Sequence, residues 1–383
     1  MIPYSTQHIT LLDRLRVFKA LGKPNLTQGP AVREFEHAVA DFVGAKHAVS
    51  ANSATSALHL ACLALDLGPG DVMWTTPISF VASANCGRYC GAEVDFVDID
   101  PETFNMSPQE LKIKLETASK NGILPKVLVV VHLAGEPAEM REISIEARKH
   151  GVKIIEDASH ALGSSYLGER VGSGTYSDIT VFSFHAVKNM TTGEGGMAVT
   201  NDPDIAEQMK TLRSHGIVRS ESRFEIAPDL RTPWHYEQHD LGFNYRITDF
   251  QATLGLSQLS RLEHQNSRRM RCLLEYRKLL QGNDLIRFQR EGSSSQSATH
   301  LAIIRIPHEK REQLVSTLLD KGFATNLHYY PIHRQPYYAE REMKFSNAED
   351  YAREAISLPC HSKLSLQLVR QIARHVEQVC SFH

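Results

Sequence analysis

Residues 126–157 read KVLVVVHLAGEPAEMREISIEARKHGVKIIED. Two short apolar runs, 126–132 and 153–157, flank a stretch with helical spacing over 137–150. Strands buried on both faces have this near-continuous apolar character, and a helix between two of them lets the second run parallel to the first. The same alternation extends in both directions. Strands are predicted at 72–76, 93–99, 178–184 and 196–200, and helices at 80–90, 107–118 and 203–214. Upstream, Val32, Phe35, Val39 and Phe42 share one face of a helix over 31–43 that Gly44 stops. A strand at 47–51 then gives way to residues 53–66, apolar nearly all round, which predicts a buried helix. The fold class is α/β, with a mostly parallel sheet covered on both faces.

Beyond the sheet the pattern changes. Residues 221–240 are polar and irregular and read as an exposed loop, followed by a long helical stretch at 247–282. A strand at 300–306, a helix at 309–321 and a last helix at 366–380 make a smaller α+β region. The expected division is a large α/β domain over 1–250, including the N-terminal segment, and a small C-terminal α+β domain over 251–383.

Composition narrows the function. With 383 residues, 42% hydrophobic and 22% charged, the chain has material for a real core. A net charge of −2 without any basic run argues against a nucleic-acid partner. The opening MIPYSTQHIT has no apolar leader and no later run is long enough to span a bilayer, so a cytoplasmic protein without a membrane partner is expected. The six cysteines are scattered and read as buried thiols. His235 and His239 have the spacing of two metal ligands on a helix, but the stretch reads as loop and lacks the HExxH glutamate, so no metal is expected.

In an open α/β sheet, ligands collect beyond the carboxyl ends of the strands. The helix that starts after Ser53 offers free N–H groups and a positive dipole end at Ala54 and Thr55, which suits a phosphate; simple capping by Ser53 is the alternative. Asp157 ends a strand that should be buried, so its carboxylate needs a partner. Either a structural ion pair or a cationic ring nitrogen would serve. Lys188 follows the strand 178–184 by four residues, where partial desolvation can free an amine for imine chemistry. Singly these are weak signals. Their order along the chain, a helix-start phosphate site, then an acid, then a lysine, matches the needs of pyridoxal phosphate. No G-x-G-x-x-G follows the first strand, which disfavours a dinucleotide.

Nearly the whole chain resembles the DegT-type nucleotide-sugar aminotransferases of fold type I. The resemblance is carried by LTQGPAVREFE, NSATSALHLACLALDLGPGD, FVASANC, GAEVDFVDIDPETFN, IIEDASHALGSSY, SDITVFSFHAVKNMTTGEGGMAVT, LRSHGI and LGFNYRITDFQATLG. It implies a pyridoxal-phosphate-dependent sugar-nucleotide transaminase with a large domain and a small one, working as a homodimer with sites at the interface. It also implies roles. Lys188 would be the imine-forming lysine and proton carrier, Asp157 the partner of the ring nitrogen, Phe80 the ring-stacking side chain, and His160 the neighbour of the phenolic oxygen. Ala54, Thr55 and Ser183 would hold the phosphate, with Asn244 reaching it from the other subunit. Tyr4, His328, Tyr329 and His333 would line the sugar side. Within the family the similarity is to the branch that serves pseudaminic acid biosynthesis. That implies transfer from L-glutamate, leaving 2-oxoglutarate, to C4 of a UDP-linked 4-keto-6-deoxy-N-acetylhexosamine of the altrosamine type. Other keto-sugar nucleotides, such as a GDP-4-keto-6-deoxymannose or a 3-keto sugar, are alternatives, as is a non-catalytic cofactor-binding regulator. The sequence departs from the family's usual pattern at Ile78, Ser79, Leu133, Glu136, Ala186, Cys360 and His361. Ile78 and Glu136 are the departures that bear on the choice of sugar.

Overall fold

The computed structural model describes residues 1–292, 294–339 and 343–381. Seven strands form the main sheet: β1 (His47–Ala51), β2 (Val72–Thr75), β3 (Glu93–Phe96), β4 (Val127–Val131), β5 (Lys153–Asp157), β6 (Ile179–Ser183) and β7 (Gly196–Thr200). Their spatial order is β1-β7-β6-β5-β4-β2-β3. Only β7 runs antiparallel to its neighbours, β1 and β6. The other pairings are parallel, so the carboxyl ends of β2, β4, β5, β6 and β1 meet the start of β7 along one edge.

Alternate residues of one strand enter different cores, which explains the continuous apolar runs. Val127 and Val129 of β4 face the core under α3 (Ala54–Ala64), α4 (Ala82–Tyr89) and α7 (Pro203–Arg213). Leu128 and Val130 face the core under α5 (Pro108–Asn121) and α6 (Met140–Lys149). Both faces are closed to water, so neither can carry unpaired polar side chains. The six cysteines are buried free thiols. Among the described residues no helix is long and apolar enough to cross a membrane.

Two features depart from the sequence expectations. The stretch 247–282 is two helices, α8 (Asp249–Leu259) and α9 (Leu262–Leu280), broken at Ser260 and Arg261. No proline or glycine marks the break. At the break Arg261 turns to bond Asp13 at 2.7 Å. Asp13 itself caps α1 (Leu11–Leu21), an N-terminal helix whose sequence has too little apolar periodicity to announce it. Helix α8 packs against α1 and α2 (Pro30–Val43), on the side of the main sheet rather than with the C-terminal strands.

The C-terminal region builds an antiparallel three-stranded sheet, β8 (Arg287–Phe288), β9 (Ala302–Arg305) and β10 (Ala355–Leu358), with β9 in the middle. Helices α9, α10 (His308–Asp320) and α11 (Leu366–Ser381) share its core through Tyr276, Leu314 and Val376. The N-terminus is tied to this sheet, since Ile2 bonds the backbone of Gly322 and Ala324 and the Tyr4 carbonyl accepts from Cys360.

The contact of α2 with α8 is close enough to forbid a side chain. A Cβ on Gly255 would lie 2.5 Å from the ring of Phe35. Gly255→Ala should therefore destabilise the chain by about 1–3 kcal/mol, overpacking outweighing the gain in helix propensity. A lower urea midpoint at unchanged m-value is the expected result.

Candidate active site

The sheet edge assembles three kinds of group. The first is a helix start. Ser53 caps α3, its hydroxyl accepting from the Ser56 N–H at 3.1 Å, while Asn52 takes the Ser56 hydroxyl at 2.6 Å. That leaves the N–H groups of Ala54 and Thr55 directed to the site at the positive end of the helix. Gly196 makes this placement possible. It pairs with Ala51 on one side and Ser183 on the other, and a Cβ on it would sit 2.4 Å from the Ala54 nitrogen. The Ser183 hydroxyl thus lies one strand away from the helix start, with a long contact of 3.4 Å from the His185 N–H. Amides, dipole and hydroxyl make a cradle for an anion.

The second group is Asp157. It is buried at the end of β5, with Oδ1 accepting from the Ser159 N–H at 3.1 Å and Oδ2 from the Ser83 hydroxyl at 2.6 Å. Ser79 stands behind Ser83 at 2.6 Å, so a two-hydroxyl chain fixes the carboxylate. Nothing in the sequence around Ser79 and Ser83 signals this contact with Asp157, because a spacing of four between serines is common at any helix start.

The third is Lys188, in the turn after β6. Burial pushes its ammonium down to about 8; the Asp157 carboxylate opposes that shift and the Arg269 guanidinium adds to it. A substantial fraction of free amine near neutral pH follows. Its neighbour Asn189 is locked, donating to Asn266 and to the Ala298 carbonyl and accepting from His300.

An aromatic wall closes one side. His160 accepts from the Ala134 N–H through Nδ1 at 3.2 Å, so its proton sits on Nε2, 3.1 Å from the Tyr329 hydroxyl. Burial, then the charge of Lys188, keeps this imidazole neutral. The His160 ring lies against His300 and Tyr329, and Tyr329 meets Phe80 with centroids 6.0 Å apart. Phe80 is 56% exposed, which is unusual for a phenylalanine between core elements and leaves its face open to a ligand.

The sugar-side residues divide. Tyr4 packs at a tilt against His328, with centroids 4.9 Å apart, and the His328 Nδ1 meets the Ser357 hydroxyl at 2.8 Å; burial, then the Lys188 charge, lowers the His328 pKa to about 3. His328 and Tyr329 thus adjoin the site. His333 is elsewhere, buried against Phe96 and Phe345 and bonded to Glu349 at 3.3 Å. Asn244 is exposed, on a loop bridged to Ser214. Of the departures, Ile78 is fully buried in a core cluster with Phe104 and Tyr351. The Glu136 carboxylate turns to Gly292 and Ser295, where burial raises its pKa to about 6. His235 and His239 both bond Glu237. Among the described residues no group of three or more His, Cys, Asp or Glu could hold a metal ion. Two grooves, of about 380 and 470 Å³, share Gln28, Lys210 and Arg246 and include none of the residues around Lys188.

The comparisons with known proteins agree on one family. The model of the DegT/DnrJ/EryC1/StrS aminotransferase family matches residues 10–377, and the chain belongs to that family. It is 37% identical over 372 residues, covering 96% of this chain and 94% of the other, to the UDP-4-amino-4,6-dideoxy-N-acetyl-beta-L-altrosamine transaminase of Campylobacter jejuni. Among solved structures, Helicobacter pylori PseC, an aminotransferase involved in the biosynthesis of pseudoaminic acid, superposes with a TM-score of 0.90 at 32% identity over the full length of both chains. The PLP form of Spr1654 from Streptococcus pneumoniae gives 0.88 at 28% identity, covering 99% of this chain and 98% of that one. The family's cofactor is pyridoxal phosphate. The site fits it: the cradle at Gly196 suits its phosphate, the fixed Asp157 its ring nitrogen, and the partly desolvated Lys188 its aldehyde. Gly196→Ala should push the helix start out of line and weaken pyridoxal-phosphate binding on the order of ten- to a hundredfold, the effect of losing one hydrogen bond to a charged group. Equilibrium titration of the cofactor-free protein measures it.

Proposed function

We propose that this member of the DegT/DnrJ/EryC1/StrS family transfers the amino group of L-glutamate to C4 of a UDP-linked 4-keto-6-deoxy-N-acetylhexosamine of the altrosamine type. The observation that carries the reading is the meeting of Lys188, Asp157 and the Gly196 cradle at one sheet edge. The names of the Campylobacter and Helicobacter relatives support the choice of sugar.

Pyridoxal phosphate, when bound, supplies an electron sink that lets an amino acid lose its Cα proton. The chain supplies the rest. Lys188 holds and moves the proton, accepting it as free amine and returning it as ammonium, and its lowered pKa makes both forms available near neutral pH. Asp157, fixed by Ser83 and Ser159, keeps a negative charge where a cationic ring nitrogen can use it. The neutral His160 orients the Tyr329 hydroxyl without adding a positive charge near Lys188. His328, also uncharged at working pH, leaves the sugar side to hydrogen bonding rather than ion pairing.

The second half of the proposal is a homodimer. Leu11, Leu15 and Phe18 of α1 are exposed at 69%, 49% and 76%, more apolar surface on one helix than a lone chain would leave in water. Asn244 and Phe80 are exposed as well. A second copy would cover these faces and bring its Asn244 to the phosphate cradle. Mixing Lys188→Ala with Asn244→Ala protein, each inactive alone, should then restore turnover, because mixed dimers hold one intact site. Failure to restore it, with exchange of subunits shown, counts against a shared site.

The reading is tested in two half-reactions. The protein loaded with pyridoxal phosphate should be yellow, and glutamate should bleach it. Of a panel of keto-sugar nucleotides, the UDP-linked 4-keto-6-deoxy-N-acetyl-altrosamine type should restore the colour fastest. A loaded protein that glutamate leaves yellow contradicts the donor, and recovery with a GDP-linked or 3-keto sugar alone contradicts the acceptor. Lys188→Ala should abolish turnover.

A further inference from the structure

Arg269 lies in α9 within a run, Arg268–Arg269–Met270–Arg271, that the sequence presents as a charged helix surface. It is instead 1% exposed. Among the described residues it meets no carboxylate. Its Nη1 donates to the carbonyls of Cys360 at 2.8 Å and His300 at 3.1 Å. Nη2 reaches the carbonyls of Lys188 at 3.4 Å and Val187 at 3.5 Å, and both nitrogens reach the Ser5 hydroxyl at 3.4 Å. Ser5 in turn donates to the Val187 carbonyl at 2.9 Å. One planar fork therefore gathers four separate pieces of chain: the N-terminal segment, the turn carrying Lys188, the strand approach at His300, and the turn after β10.

A buried cation without a counter-ion is costly, and hydrogen bonds to carbonyls offset only part of that cost. Its presence needs a role beyond stability, since an apolar side chain of similar volume would fill the space more cheaply. We propose that Arg269 is a positioning residue for the reaction: it fixes the backbone of Lys188 against the C-terminal sheet and sets a positive charge behind the amine. This rests on the reading of Lys188 as the proton-carrying amine. The fork geometry does what an ammonium cannot, because five N–H groups in one plane can satisfy several carbonyls at once.

The charge acts on Lys188 in a defined direction. The groups facing that amine are Asp157 from β5, His160 after it, His300 before β9, His328 from the loop before β10, and Arg269 from α9. Burial keeps the three imidazoles neutral, so Asp157 and Arg269 are the charged pair. Asp157 favours the ammonium and Arg269 disfavours it. Without Arg269 the carboxylate would hold the lysine protonated more strongly, and less free amine would exist at neutral pH.

The test uses the full-length protein without cofactor, in which the pH dependence of Lys188 labelling by an acylating reagent, read by peptide mass spectrometry, reports the amine directly. In the wild type the labelling should rise with pH through a midpoint at about 8. Arg269→Met should move that rise upward, leaving about tenfold less amine at pH 7.5, the equivalent of one pKa unit. Arg269→Lys keeps the charge and loses the fork. It should hold the labelling curve near that of the wild type while hydrogen exchange in residues 185–190 quickens. Ser5→Ala removes a hydroxyl acceptor of Arg269 and should quicken the same exchange more mildly. A folded Arg269→Met protein with an unchanged labelling curve overturns the electrostatic half. If Arg269→Met does not fold, a labelling curve in Arg269→Lys that moves up to the ordinary lysine range overturns it instead. Unchanged exchange in both Arg269→Lys and Ser5→Ala overturns the positioning half. A wild-type protein that fails to turn yellow with pyridoxal phosphate refutes the proposed function and leaves these labelling and exchange results standing on their own.

Discussion

The start of α3 rests on the α-carbon of Gly196, closer than any side chain would allow. That contact requires β7 to run antiparallel between β1 and β6, so that its first residue arrives at the edge where its neighbours end. It requires α3 to be apolar nearly all round, because the helix crosses β1, β6 and β7 and packs on α4 and α7. Once the helix start is fixed there, Ser183 and the amides of Ala54 and Thr55 converge without further adjustment. The rest of the site is laid out from that point across the sheet edge, with Asp157 one strand beyond Ser183 and Lys188 in the turn that follows it.

Electrostatics then separate the roles. The edge collects one buried carboxylate, one amine, one buried guanidinium and three histidines. Burial, reinforced by the charge of Lys188, silences the histidines, so they act as shape and hydrogen-bond partners. What remains is a lysine between a carboxylate that favours its charge and a guanidinium that opposes it. The outcome, an amine titrating at about 8, is a balance of these with desolvation rather than the property of any one neighbour.

The sheet was legible because a strand buried on both faces has to be apolar at consecutive positions, as β4 is throughout and β5 and β6 are at Ile154–Ile155 and Val181–Phe182. Lys188, Asp157 and the helix start were legible through their order along the chain, which reflects how strand ends line one edge. Residues that act through distant neighbours were not. Ser83 reaches Asp157 across 74 positions and Arg269 reaches Lys188 across 81, and neither distance leaves a local pattern. Arg269 even reads as its opposite, since three arginines in four residues suggest a solvated face. The contact at the break between α8 and α9 is equally distant in sequence, Arg261 bonding Asp13 across 248 positions. His333 stands five residues from His328, yet its partners are Phe96, Phe345 and Glu349 rather than Tyr4 and Ser357.

The central claim is that the Lys188 amine is the group that engages pyridoxal phosphate. Borohydride reduction of the loaded protein, followed by digestion and peptide mass spectrometry, tests it most directly. The account predicts a single stable pyridoxyl adduct on the peptide containing Lys188. An adduct on any other lysine, or none at all in a protein that has bound the cofactor, would contradict it.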